Sequence, residues 1–320
     1  MMKNAFKIVL PMLLALCVLL SGCASDKDAQ KDDSKVQIVC TNFPAYDFAR
    51  EIAGDRAQIK LLIKPGAEVH SYEPAPKEVA AIQESDLFVC NGGESEAWVE
   101  SLVPDDVNVL RMTDCVETVE ESGEGIYAAD HDHEHEEHDH EHGEEELDEH
   151  VWTTPGNAAK ICYALCDKLC EADPDNANEY MLNYEVYNAK LMELDIDIRT
   201  TVMNAVRKTL VFADRFPMRY FTREYGLTYY AAYPGCASQT EPSAKTVAFL
   251  IDHVREENIP AVLYMEFSNE KMADVICEDT GCKKLPFYSA HSVTAQQFED
   301  GVTYLDLMRM NIETLKEALY

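Results

Sequence analysis

Four residues could each lend a lone pair to a metal ion: three stand where the chain leaves an apolar run, and one stands just before a helix. The chain holds 10 histidines. Six sit together in one acidic stretch, which leaves His70, His150, His253 and His291 elsewhere. His70 follows Ile59 to Ile63 and the breaker Lys64-Pro65-Gly66, so it belongs to the exit of a buried strand. His150 opens His150-Val151-Trp152-Thr153-Thr154-Pro155, just ahead of a helical pattern. His291 lies in Phe287-Tyr288-Ser289-Ala290-His291, past another short apolar run, and Asp214 directly follows Leu210 to Phe212. In open α/β sheets, ligands collect beyond the carboxyl ends of strands. A neutral imidazole is the commonest side-chain ligand for a transition metal. Asp214 has a second reading, an ion pair with Arg215 or Arg219. His253, inside a helical stretch beside Arg255, reads as a solvated helix-face residue.

The acidic stretch from 117 to 149 is a different kind of candidate. It carries His131, His133, His135, His138, His140 and His142, and about half of it is Asp or Glu. Such a tract has no apolar face to bury, so a loop is expected. Both His131-Asp132-His133-Glu134-His135 and its echo at His138 to His142 match an HxxEH hydrolase spacing. That chemistry needs both histidines fixed on a stable helix, which this composition does not build. The expected role is weak accessory chelation, since imidazole and carboxylate bind zinc-like ions, with a pH-dependent solvated tract as the other reading.

The elements that must position these residues alternate. Val36 to Cys40, Ile59 to Ile63, Leu87 to Cys90 and Val107 to Leu110 read as short strands, with helices at Ala45 to Ile52 and Lys77 to Glu84 between them. Ala158 to Cys170 is an amphipathic helix. Helical spacing then runs unbroken from Asn176 to about Lys208 with no Gly or Pro, roughly 45 Å at 1.5 Å per residue. Tyr180, Tyr184, Tyr187, Leu191, Leu194, Ile198 and Val202 mark its packing face. Leu210 to Phe212 and Ala261 to Met265 restart the strand pattern, with helices at Val247 to Glu257, Met272 to Glu278 and Gly301 to Leu319. The expected fold is α/β: two lobes, each a mainly parallel sheet flanked by helices, joined by one long rigid helix. The expected boundaries are 36–173, 174–208 and 209–320.

Composition sets the class. The chain has 320 residues, 47% hydrophobic, with 59 acidic against 27 basic residues and a formal net charge of -32. That sign opposes nucleic-acid binding and suits attraction of cations. At the start, Lys3 and Lys7 precede an apolar run, Ile8 to Leu20, too short to span a bilayer. It ends in Leu20-Ser21-Gly22-Cys23, which looks like a bacterial lipobox. The expectation is a signal over 1–22, acylation of Cys23, a flexible tether over 23–35, and a lipid-anchored protein on the extracytoplasmic face of the cell membrane. Of 11 cysteines, Cys17 and Cys23 belong to this segment and nine remain. Cys162, Cys166 and Cys170 repeat on one helical face as small hydrophobes, with a thiolate metal site as the other reading. Cys277 and Cys282 flank Gly281 and could form one local disulfide.

These features come in one order: the lipobox, Pro65-Gly66-Ala67-Glu68-Val69-His70-Ser71-Tyr72-Glu73-Pro74, the histidine-rich loop, Asp148-Glu149-His150-Val151-Trp152 and the long helix. Tyr233-Pro234-Gly235-Cys236 and Thr240-Glu241-Pro242-Ser243 follow. Together they resemble the zinc/manganese solute-binding lipoproteins of ABC importers, the cluster A-I type. The resemblance covers nearly the whole mature chain. It implies two α/β lobes and a metal held in the cleft between them, delivered to a membrane permease and its ATPase. It places His70 and His150 at the family's first two ligand positions. The third, usually His or Glu after the first strand of the second lobe, falls on Ala213, so Asp214 is the nearest replacement. The fourth falls within Ser289-Ala290-His291, where His291 is the candidate.

The resulting expectation is a monomeric, non-enzymatic protein that captures Zn2+, with Mn2+ as the second choice because manganese prefers oxygen ligands. Two other classes remain open. A metal-buffering or adhesin-like surface protein would use the fold without transport. A metal-dependent hydrolase would need an open coordination position and a general base, for which Glu68 or Glu241 would have to serve.

Overall fold

The computed structural model describes residues 32, 34–67, 70, 72–120, 147–233 and 242–320. The lipobox with Cys23, the six loop histidines, Glu68, Cys236 and Glu241 lie outside the described residues.

The first sheet grows from β-branched and apolar runs. The chain passes through β1 (Val36–Cys40), α1 (Phe43–Ala53), β2 (Ala57–Leu61), α2 (Pro76–Gln83), β3 (Leu87–Cys90), α3 (Trp98–Leu102) and β4 (Val109–Arg111). Asn42 starts α1 by accepting the Ala45 N–H on its side chain, and Pro44 sits in the first turn where its missing donor does no harm. The four strands pair in parallel in the order β2-β1-β3-β4. Central β3 is buried along its whole length, as a strand covered on both faces must be.

Two helices then lead to the second lobe. In α4 (Pro155–Ala172), Thr154 caps the first turn by accepting the Asn157 N–H. Cys162 and Cys166 are buried on its inner face and belong to the main apolar cluster. They are not among the described residues grouped as metal ligands. Next comes α5 (Ala177–Asn204), the long helix of 28 residues. Its buried face is Tyr180, Tyr187, Leu191, Leu194, Ile198 and Val202, with Tyr184 partly buried.

The second lobe repeats the first: β5 (Thr209–Phe212), α6 (Arg219–Tyr225), β6 (Thr228–Ala231), α7 (Ala244–Glu256), β7 (Ala261–Met265), α8 (Lys271–Thr280), β8 (Lys283–Phe287), α9 (Ala295–Glu299) and α10 (Tyr304–Leu319). Its parallel order is β6-β5-β7-β8. The sequence does not announce β6 or β8. Both are edge strands, and β8 reads Lys-Lys-Leu-Pro-Phe. Lysine and proline are tolerated at an edge because one row of backbone groups needs no ladder partner.

In each sheet the order reverses beside the first strand, between β1 and β3 and between β5 and β7, and the candidate residues lie beyond the strand ends there or nearby. The lobes are tied together around that place. The Trp152 indole N–H donates to the Ser289 carbonyl at 2.8 Å, and the Tyr220 hydroxyl donates to the Asp148 carbonyl at 2.8 Å. At the start of α10, the Tyr304 N–H donates to Asp47 at 2.8 Å, while the Tyr304 hydroxyl donates to the Trp152 carbonyl. Trp152 and Tyr304 are both fully buried. A buried polar group left without its partner costs about 1–3 kcal/mol, so these cross-lobe bonds set the lobes' relative position firmly.

Candidate metal centre

His70, His150 and His291 converge. One potential ligand atom from each lies within 4.8 Å of the other two. The ring centroids are 5.8 Å apart for His70 and His150, 5.4 Å for His70 and His291, and 5.3 Å for His150 and His291. Among the described residues this is the one such group of three. His70 comes from the loop after β2, His150 from the segment before α4, and His291 from the loop after β8, so both lobes contribute. A tetrahedral zinc ion with Zn–N of about 2.0–2.1 Å holds its nitrogens roughly 3.4 Å apart. The observed spacing, at most 4.8 Å, exceeds that value by about 1.4 Å at most.

Each ring is oriented from behind. His150 is 4% exposed. Asp148 Oδ1 stands 3.0 Å from His150 Nδ1 and also accepts the His150 backbone N–H at 2.8 Å. That contact assigns the proton to Nδ1 and puts the ring's lone pair on Nε2. His70 Nδ1 lies 3.3 Å from the Ser95 hydroxyl, and the Ser95 N–H in turn donates to Glu149 at 2.9 Å. Glu149 approaches so closely that a Cβ on Gly93 would sit 2.5 Å from its carboxylate, and Gly93 has φ +89°. Only glycine serves at that position.

His291 packs its ring 4.8 Å from Trp152. Burial pushes its pKa well below the usual value, and the His150 and His70 rings add to the effect. The imidazole is therefore neutral near pH 7, as a ligand must be. Its backbone is held by an internal anchor. Glu266, just past β7, accepts the Ser289 N–H at 2.8 Å and the Ser289 hydroxyl at 2.5 Å. Burial raises the Glu266 carboxyl, while its Ser289 and His291 neighbours oppose that shift. Between them Ala290 is held at φ +60°, a left-handed conformation costing a non-glycine residue about 1–3 kcal/mol.

Asp214 is placed differently from the expectation. It is not in the histidine group. Its Oδ1 accepts the Arg215 N–H at 2.8 Å and its Oδ2 accepts the Met265 N–H at 3.2 Å. Nor does it appear among the ion pairs of the described residues, with Arg215 and Arg219 or otherwise. The carboxylate closes two backbone donors and fixes the end of β7, next to Glu266. It supports the loop carrying His291 from one step behind. Ala213 is buried, its N–H donating to the Leu263 carbonyl. His253 is also corrected. It is half-buried, its ring 4.0 Å from Tyr230 and stacked on Phe249.

A family model described as zinc-uptake complex component A, periplasmic, or ZnuA, matches residues 38–318. The chain belongs to the ZnuA family. It is 32% identical over 318 residues to the high-affinity zinc uptake system protein ZnuA of Bacillus subtilis, covering 96% of each chain. It is also 32% identical to the zinc-binding lipoprotein AdcA of Streptococcus pneumoniae, spanning 96% of this chain and 60% of that longer relative. Among solved structures, the metal-dependent lipoprotein YcdH of Bacillus subtilis superposes with a TM-score of 0.73 at 28% identity, over 89% of this chain and 99% of that one. The zinc-bound ZnuA-like domain of AdcA gives 0.71 at 27% identity, over 89% and 99%. A laminin-binding adhesin of Streptococcus agalactiae shares the ZnuA fold at 24% identity and a TM-score of 0.74.

Of the residues that form this histidine cluster, the imidazoles were the ones singled out from sequence. Asp148, Ser95, Glu149 and Glu266 were missed as positioning groups. Asp148 and Glu149 lie inside the quoted motif beside His150, which was the available signal. Ser95 and Glu266 carry none, because their roles depend on contacts across 25 and 23 residues.

Proposed function

We propose that this ZnuA-family protein is the metal-capturing component of a zinc ABC importer, with His70, His150 and His291 as the ligands of the transported Zn2+. The observation that carries the reading is the convergence of three imidazoles from three segments and both lobes within 4.8 Å. Nitrogen ligands favour zinc over manganese, and three of them leave one tetrahedral position for solvent or another group. An ion so held is bound firmly yet remains exchangeable, as delivery to a permease requires. The protein works with a permease and its ATPase and performs no chemistry on its cargo. It is anchored outside the cytoplasm through acylated Cys23 and acts as a monomer. The domains follow the boundaries 36–173, 174–208 and 209–320, and the six histidines from His131 to His142 collect ions for the deeper centre.

Metal content and competitive titration with zinc and manganese test this on the form starting after Cys23. The Glu120–Leu147 antiparallel bridge brings the two ends of the intervening segment together. Residues 121–146 are therefore replaceable by an Asn-Gly turn. One tight zinc equivalent should survive that replacement and be lost in His70→Ala. Zinc binding that disappears with the segment while His70→Ala changes nothing would overturn the reading.

A further inference from the structure

Away from the histidine centre, two cysteines meet at the end of α8. Cys277 Sγ and Cys282 Sγ are 3.1 Å apart and both residues are half-buried. Local backbone geometry explains the approach. Gly281 ends α8 in the left-handed conformation at φ +78°, and its N–H donates to the Cys277 carbonyl at 2.8 Å. In this helix-ending motif, the residue after the glycine folds back onto the last turn and contacts the residue four before the glycine. Those two positions are Cys282 and Cys277. The Thr280 hydroxyl reinforces the fold by accepting the Cys282 N–H at 3.3 Å.

The other cysteines differ. Cys40, Cys90 and Cys162 are buried, and burial pushes their thiols far up. Cys115 is half-buried and its thiol faces the Arg111 carbonyl. Cys166 and Cys170 neighbour each other one turn apart on α4, where parallel side-chain directions oppose disulfide geometry. Only the Cys277 and Cys282 pair, among the described residues, joins the end of one element to the start of the next.

We propose that Cys277 and Cys282 form a disulfide that clasps the C-terminal turn of α8 to the residue immediately before β8. The oxidant is a small-molecule or protein disulfide of the kind present outside the cytoplasm. One cysteine thiolate attacks a sulfur of that disulfide, forming a mixed disulfide and expelling one thiolate. The second cysteine thiolate then attacks the mixed disulfide, forms the Sγ–Sγ bond and expels the other. Two electrons pass to the oxidant, and the two cysteine protons end on the two released thiols. Closing from 3.1 Å to the disulfide length of about 2.0 Å needs about 1 Å of movement. The clasp fixes where edge strand β8 begins, and β8 leads directly to Ser289 and His291.

The test uses the full chain, oxidised with glutathione disulfide, denatured, alkylated, digested and read by mass spectrometry. The expected result is an intact mass lower by two hydrogens than the reduced protein, with one peptide linking Cys277 to Cys282. Cys282→Ser should abolish that species and keep the circular dichroism of the parent. Complete alkylation of both cysteines after oxidation, or a bridge that maps to other cysteines, overturns the proposal. The readout needs no zinc, so it stands or falls separately from the transport function.

Discussion

Replacing Asp148 by Asn tests whether the metal centre depends on the proton arrangement of His150. One carboxylate oxygen, Oδ1, contacts both the backbone N–H and Nδ1 of His150, at 2.8 and 3.0 Å, and Asp148 is 3% exposed. The carboxylate only accepts, so it holds the proton on Nδ1 and directs the Nε2 lone pair at the ion. An asparagine that keeps its oxygen on both N–H groups loses the carboxylate charge that polarises Nδ1–H and strengthens the Nε2 lone pair. One that turns its NH2 to Nδ1 also loses the backbone contact and stabilises the tautomer with the proton on Nε2, which cannot bind metal. Outer groups of this kind contribute about 10–100-fold to metal affinity, or roughly 1.4–2.8 kcal/mol. Because the site is buried, the effect should lie toward the upper end. The assay is zinc titration against a chromophoric chelator at pH 7.5, with the metal-free melting temperature measured in parallel. Asp148→Asn should weaken zinc by at least about tenfold while the fold stays intact. An affinity within about threefold of the parent would refute the tautomer argument, a difference under about 0.7 kcal/mol.

Three further outcomes follow from the same geometry. His291→Ala should lower zinc affinity by more than about 100-fold, since it removes a ligand rather than a support, as measured by the same titration. Asp214→Ala should do the reverse: it leaves the Arg215 and Met265 N–H groups without their acceptor, so urea unfolding should show a loss of about 1–3 kcal/mol with a smaller zinc effect than His291→Ala. Glu96 is 7% exposed, and burial raises its carboxyl from 4.5 to about 7. A raised carboxyl stabilises the fold fully below the unfolded value and loses that contribution as pH rises through the folded one. Glu96→Gln should therefore gain stability relative to the parent between pH 4.5 and 8, by about 3 kcal/mol from 1.36 kcal/mol per unit; a constant difference across that range would contradict the assignment.

The strand and helix pattern was open to sequence reasoning wherever elements are buried or long. β3 and β7 are continuous apolar runs because both faces are covered, and α5 lacks any breaker over 28 residues. An edge strand needs no such run: β2 and β4 carry one and were legible, while β6 and β8 were not. Among the candidate ligands, His70, His150 and His291 stood out because each follows an apolar run or precedes a helix, and few histidines lie outside the acidic stretch. Adjacency in sequence misled at Asp214. A carboxylate next to Ala213 looked like a substitute ligand, yet the nearest unmet donors to it are backbone N–H groups, and it satisfies those.

The sequence by itself determined the two-lobe α/β plan, the long connecting helix and the residue types available for the centre. These follow from periodicity, breakers and the chemistry of imidazole, which are local properties. Only the tertiary structure decided which groups meet. It brought His291 from the edge-strand loop to His70 and His150, set Asp148, Ser95 and Glu266 behind them, and turned Asp214 inward to the backbone. Such choices depend on hydrogen bonds between residues tens to hundreds of positions apart, and those partners are fixed only when the two sheets and their cross-lobe bonds are in place.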